Sequence, residues 1–408
     1  MNQRDRHQCS RAEGERMIRI SAAIASILGL VFGTSAGWAA DKLKIGFISS
    51  FSTPTSTVGP DVYDGFTLAL QETGGKLGGR EVELVKGDDQ FKPDVAVNLA
   101  RKMLDEDKVQ LVTGIVPSNN MLAVAHTVLP RKVFILSTNS GPSQLAGKEC
   151  NPYFFAAAFQ NDTAPQAMGI YLTQQGVKNV YLMGANYAAG KDMLAGFKRG
   201  FKGNIVGEVY TPLPQFDFAA ELAEIRAAKP DAVFFFYNAG AASINFVKQF
   251  AEAGLKDKIP LYATNFSLDE QTLPGMGDAA VGVKISTFWS ADLDNAANKA
   301  FVEHFNATYH RRPTIFAADG YDTARLLDAA LKSVDGQIER SDDFGKAVEA
   351  AKFDSVRGKF RFNTNHFPVQ NFYLAEVQRD SNGQLYNAFK GTIVEDQQDP
   401  YVGECKMR

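Results

Sequence analysis

The residue types that make and break bonds stand at spacings that give them little to do. The pattern Gly33-Thr-Ser-Ala-Gly37 matches G-x-S-x-G, but a nucleophile elbow needs a strand-to-helix turn, and this stretch lies inside a leader-like segment. His304 and His310 are six residues apart, a spacing that does not put both on one face of a helix, and neither H-E-x-x-H nor C-x-x-C occurs. Asp88 and Asp89 are adjacent, so in a strand-end loop they point apart and serve as caps or turn formers. Gly74 to Gly79 follows an expected helix and precedes an expected strand, which makes it a helix stop and turn rather than a phosphate cradle. We therefore expect no catalytic residue, no metal and no cofactor.

The N-terminus reads as a removable leader. Arg16 and Arg19 precede an apolar run from Ile20 to Phe32, which leads into Gly37-Trp38-Ala39-Ala40. That run falls short of the roughly 20 residues a permanent membrane span requires. Residues 1–40 are expected to be a signal peptide cut near Ala39 or Ala40. Met17 opens a more ordinary leader than Met1, and the sequence leaves both starts open. The formal charge is −3; losing residues 1–39 removes five Arg and three acidic residues, giving −5. A mildly acidic chain with no basic run beyond Arg311-Arg312 argues against a nucleic-acid partner. Cys9 leaves with the leader, so Cys150 and Cys405 remain as a pair in an oxidising compartment and are expected to form a disulfide.

The elements that must position any site follow a βαβ rhythm. Lys44 to Ile48 is strand-like, a helix opens at Pro60, Val82 to Val85 is strand-like, and another helix opens at Pro93. Further strands are expected at 110–113 and 133–136, each followed by a loop rich in Ser, Asn, Gly or Pro. In open α/β sheets such loops hold ligands. The rhythm restarts after about residue 160, with strands at 180–183, 205–210, 232–237 and 261–262 and helices near 190–201, 218–228 and 240–254. A strand near 283–289 precedes helices at 294–309 and 316–334, and strand character returns from Gly358. The length left after the leader exceeds what one core usually organises, which predicts two lobes.

The block Gly74 to Arg80, Asp88-Asp89, Pro93 to Ala100, Lys229-Pro-Asp-Ala-Val-Phe234 and Ala317-Ala-Asp-Gly-Tyr-Asp322 together resemble the branched-chain amino acid binding family of periplasmic proteins. Tyr187-Ala-Ala-Gly190, Ser290 to Asn295, Pro368 to Tyr373 and the placement of Cys150 and Cys405 are most similar to the branch that binds benzoate-like and other aromatic acids. The resemblance implies an α/β, type I periplasmic binding protein fold: two Rossmann-like lobes joined by three hinge crossings, with a ligand between them. It assigns 41–160 plus 288–367 to lobe 1, 161–287 plus 368–390 to lobe 2, and 391–408 to a C-terminal tail tied back by the disulfide. It implies a periplasmic, monomeric protein that delivers a small carboxylate to an inner-membrane ABC permease.

The same resemblance nominates site residues. Ser118 falls where family members hold the ligand carboxylate; the alternative is that Ser118 only caps the helix that follows. Gly141, beside Asn139 and Ser140, falls where amino-acid binders place a Thr, and Asn265 falls where they place an acid that pairs with the ammonium. With both partners missing, the ligand is expected to keep a carboxylate and lack an α-amino group. Asp269 and Glu270 lie close enough that a shift of four residues would restore an acid. Phe51, Val58, Phe159, Tyr187, Tyr237 and Asn238 complete the expected pocket, whose aromatic content suits an aromatic acid. The competing ligand is a branched-chain or other aliphatic amino acid; the competing classes are an enzyme on Rossmann-like lobes and a ligand-sensing regulator.

Overall fold

A computed structural model describes residues 41–52 and 57–407; the leader expected over 1–40 lies outside them. The first sheet holds β1 (Leu43–Ser49), β2 (Lys76–Leu77), β3 (Arg80–Asp88), β4 (Leu111–Thr113), β5 (Phe134–Ser137) and β6 (Phe154–Ala156), in the order β2-β3-β1-β4-β5-β6. Around it run α1 (Val58–Glu72), α2 (Pro93–Lys102), α3 (Ser118–Val128) and the single turn α4 (Ser143–Ala146). From β3 to β6 all neighbours are parallel, so every loop after a strand emerges on the same side. The strands β1, β4, β5 and β6 are largely apolar and buried on both faces, as helix-covered parallel sheets require, while the outer β3 is half-exposed.

The second half alternates α5 (Thr163–Gln174), β7 (Asn179–Ala185), α6 (Ala188–Gly200), β8 (Asn204–Thr211), α7 (Ala219–Ala228), β9 (Ala232–Phe236), α8 (Ala241–Glu252), β10 (Leu261–Thr264), the turn α9 (Leu273–Met276) and β11 (Lys284–Thr287). Next come α10 (Ala296–Tyr309), α11 (Ile315–Lys332), α12 (Ser341–Ala350), β12 (Arg361–Phe362), β13 (Pro368–Arg379) and β14 (Leu385–Gln397). The second sheet has the order β12-β13-β11-β10-β9-β7-β8, with β14 paired antiparallel to β13. Because β14 runs to Gln397, which pairs with Gln370, the tail begins after that strand and not at 391.

The chain passes between the two halves three times, through 157–162, through 288–295 and through the stretch 351–367 between α12 and β13, which includes the short strand β12. This is the type I periplasmic binding fold. Helices α10 to α12 return to the first sheet, where α11 lies against α1. The close approach depends on two glycines: a Cβ on Gly65 would stand 1.9 Å from the Ala317 carbonyl oxygen, and one on Gly320 would stand 2.0 Å from that of Val62. The helix α11 starts where Thr314 Oγ1 accepts from Ala317 N at 3.3 Å, an N-cap.

Arg357 rivets the crossings. Its guanidinium donates to the Ala157 and Ala158 carbonyls at 2.8 and 2.7 Å and to Asp322 Oδ2 on α11 at 2.8 Å, all out of solvent. Cys150 and Cys405 form the expected disulfide, with Cα atoms 5.5 Å apart. Beside it, Tyr401 OH and Arg199 Nη1 both donate to Asp162 Oδ2, at 2.6 and 2.9 Å, so the tail is tied to the first crossing and to α6. Among the described residues no helix is long and apolar enough to cross a membrane.

Candidate functional site

A small cavity lies between the sheets. Its floor on the first-sheet side is Val58 at the start of α1, Val116 and Ser118 at the start of α3, and Asn139 and Ser140 after β5. Phe159 and Asn161 come from the first crossing. The opposing wall is Tyr187, Ala189 and Met193 around the start of α6, Phe236 and Asn238 after β9, and Phe266 after β10, with Phe316 from α11.

One end of the cavity is polar. Ser118 and Ser140 hydroxyls are 2.9 Å apart, and Asn161 Nδ2 donates to Ser118 Oγ at 3.1 Å. Asn161 Oδ1 accepts from Gly141 N at 3.1 Å, and Asn139 Nδ2 donates to the Val116 carbonyl at 3.0 Å, leaving its buried Oδ1 without a partner among the described residues. Across the gap Tyr187 OH donates to Asn238 Oδ1 at 2.6 Å, and burial pushes the Tyr187 phenol well above its ordinary range. The tyrosine therefore stays neutral.

The other end is aromatic. Phe159 stacks on Phe266 with centroids 4.3 Å apart, Phe266 meets Phe316 at 6.4 Å, and Tyr187 lies parallel to Phe236 at 6.3 Å. Among the described lining residues none is Asp, Glu, Lys, Arg or His. The positive ends of three helix dipoles begin at the lining instead: α1 at Val58, α3 at Ser118 and α6 beside Ala189. The first turn of a helix leaves N–H groups without intrahelical partners, so such ends favour an anion without burying a counter-charge.

The structure separates the nominated residues. Val58, Ser118, Asn139, Ser140, Phe159, Tyr187 and Asn238 all line the cavity. Ser118 is the first residue of α3, the cap position belongs to Pro117, and no side chain caps that helix; the capping alternative does not describe it. Gly141 is not among the lining residues, and it has no room for a side chain, since a Cβ there would stand 2.0 Å from the Phe159 carbonyl oxygen. The loop's hydroxyl toward the cavity is Ser140, one residue earlier. Asn265 likewise lies off the cavity, in a separate pocket with Asp269 and Glu270, and the residue of that loop facing the cavity is Phe266. Phe51 turns onto Tyr63, ring centroids 5.7 Å apart, with the Lys86 ammonium 3.9 Å above it. Tyr237 is buried against Phe218 and Phe246, its oxygen accepting from Thr211 at 3.2 Å.

Asn161, Phe236 and Phe266 went unread in the sequence. Side chains alternate along β9 and its extension, so Phe236 and Asn238 share one face and Tyr237 takes the other; that period was a usable signal. Met193 lies one helical turn beyond Ala189, and the 3.6-residue repeat would have linked them. Asn161 left no local signal.

Residues 42–384 match the family model described as periplasmic binding protein. The chain belongs to the periplasmic binding protein family. This binding protein is 34% identical to an R. palustris solute-binding protein of an ABC transporter solved in complex with benzoate, covering 90% of this chain and 100% of that one at a TM-score of 0.84. It is 31% identical to a solute-binding protein from Rhodopseudomonas palustris BisB5 solved with 3,4-dihydroxybenzoic acid, covering 88% and 99% at a TM-score of 0.81. A curated relative, the Leu/Ile/Val-binding protein homolog 6 of Brucella melitensis, is 28% identical over 91% of this chain and 96% of its own. These relatives bind solutes and are not enzymes, and this binding protein is likewise an ABC-type solute-binding component and not an enzyme.

Proposed function

We propose that this protein captures an aromatic acid of the benzoate or phenylpropanoate type in the periplasm by closing its two lobes, and delivers it to an inner-membrane ABC permease. One observation carries the reading. The cavity is lined by paired serine hydroxyls, by the starts of three helices on its two sides and by aromatic rings, with no acid among its described lining residues. A buried ammonium without a carboxylate partner costs several kcal/mol, which disfavours an α-amino acid. The carboxylate takes the Ser118 and Ser140 end, and the ring lies among Phe159, Tyr187, Phe236 and Phe266. The benzoate and dihydroxybenzoate complexes of the R. palustris relatives support the same ligand class.

The name of the Brucella relative favours a second reading, a branched-chain amino acid. A thermal-shift screen separates the two. At about 100 times its dissociation constant a ligand adds about 2.7 kcal/mol of stability, so benzoate raises the melting temperature and leucine leaves it unchanged. Stabilisation by leucine alone would reject the aromatic-acid reading. The reading also places cleavage of the leader near Ala39 or Ala40 and makes the mature chain a monomer.

A further inference from the structure

Two carboxylates stand close behind the polar end of the cavity without lining it. Asp162 lies in the first crossing and is paired with Arg199. Asp192 lies on α6, across the cleft, and meets no cation among the described residues. Its Oδ2 accepts from Ser143 N at 3.0 Å and from Asn161 Nδ2 at 2.9 Å, and its Oδ1 accepts from Ser143 Oγ at 2.7 Å. The Asn161 amide nitrogen that meets Asp192 is the one that donates to Ser118 Oγ. A single nitrogen thus separates the Asp192 carboxyl from the hydroxyl offered to a ligand.

We propose that Asp192 is a positioning residue that takes up a proton when an organic anion enters the cavity. The inference rests on the aromatic-acid reading and deepens it. In the filled site an ionised Asp192 would face a second buried carboxylate across one amide, with low-dielectric walls and no cation between them. Protonation removes that repulsion at little structural cost. The proton, drawn from solvent, goes to Oδ1 and is donated to Ser143 Oγ, whose own hydroxyl turns to Gln144 Oε1, 3.4 Å away. Both N–H bonds to Oδ2 survive, so Asn161 keeps its grip on Ser118 and the two lobes stay joined.

The surroundings already lean this way. Burial raises the Asp192 carboxyl to about 6, and the neighbouring Asp162 charge adds to the effect. The groups that face it are Asp162 from the crossing, Tyr187 from the start of its own helix and Ser143 from α4. Arg199 and Tyr401 hydrogen-bond to Asp162. A bound anion lifts the Asp192 carboxyl further, so ligand binding and proton binding favour each other. With one proton linked, benzoate affinity falls as pH rises above about 6, by at most about tenfold per pH unit.

The test is calorimetric titration of the purified protein with benzoate from about pH 5.5 to 8, in two buffers of different ionisation enthalpy, for the wild type and for Asp192→Asn. Asparagine mimics the protonated carboxyl in shape and hydrogen bonding. We expect the wild type to take up a fraction of a proton and lose affinity several-fold across the range, while the variant takes up none and keeps a flat, tight affinity. Benzoate binding with no proton uptake, or an unchanged pH slope in the variant, overturns the proposal and leaves the ligand reading standing. No benzoate binding by either protein at any pH overturns both. Leucine binding that Asp192→Asn abolishes would make Asp192 an ammonium partner and likewise overturn the proposal.

Discussion

Ser118 illustrates how much a single position carries. Its hydroxyl is held at 2.9 Å from Ser140 and 3.1 Å from Asn161, so it is oriented before any ligand arrives, and orientation limits the entropy that binding costs. Ser118→Ala should weaken benzoate binding by about 1–3 kcal/mol, the range for a hydrogen bond to a charged group. Fluorescence or calorimetric titration reads the change. A variant with unchanged affinity would place the carboxylate elsewhere. At this scale the sequence was legible where a motif pointed to a loop and misleading where two neighbours had to be told apart. The loop after β5 was found, yet Ser140 and not Gly141 faces the cavity, because the Phe159 carbonyl leaves no room for a side chain at 141. The loop after β10 was found, yet Phe266 replaced Asn265. Which of two adjacent side chains turns inward is decided by packing across the crossings, and no local pattern records it.

The elements hold the site through buried polar contacts at the crossings. Arg357 joins two backbone carbonyls of the first crossing to Asp322 of α11, with both side chains almost wholly removed from water. Arg357→Met strands a buried carboxylate and two carbonyls, so it should cost about 3–5 kcal/mol, read as a lower urea midpoint with an unchanged m-value. A loss below about 0.5 kcal/mol would show that water takes over the role, as at ordinary surface sites. Strands with strong apolar runs, such as β9, were readable from their residues alone. The strand β14 was not: its burial alternates irregularly and much of it faces solvent, so it lacks the period-2 signal that marks a half-buried strand. Its place in the sheet comes from pairing with β13. The helix α12 was missed for a related reason, since Phe344 and Val348 are its only buried residues and a single i, i+4 pair is a faint stripe.

Over the whole molecule the two halves are closed on each other. Thr57 N donates to the Ala239 carbonyl at 3.3 Å, Ala188 N donates to Asn119 Oδ1 at 3.2 Å, and Ser143 meets Asp192. Each of these contacts joins segments from opposite sides of the cavity, so a ligand that touches both sides adds to a closure the protein already supports. The two-lobed plan was legible because the βαβ rhythm restarts midway, and the disulfide because Cys150 and Cys405 are the two cysteines outside the expected leader. The handling of charge was not legible, because it depends on which helix ends converge. The central claim is that the cavity receives a negative headgroup and has no partner for a positive one. A crystal structure with benzoate bound tests it most directly. We predict a carboxylate oxygen about 2.5–3.2 Å from Ser118 Oγ, with the ring among Phe159, Tyr187 and Phe266. A ring turned toward the serines, or an amino acid held there with its ammonium on an acidic side chain, would contradict it.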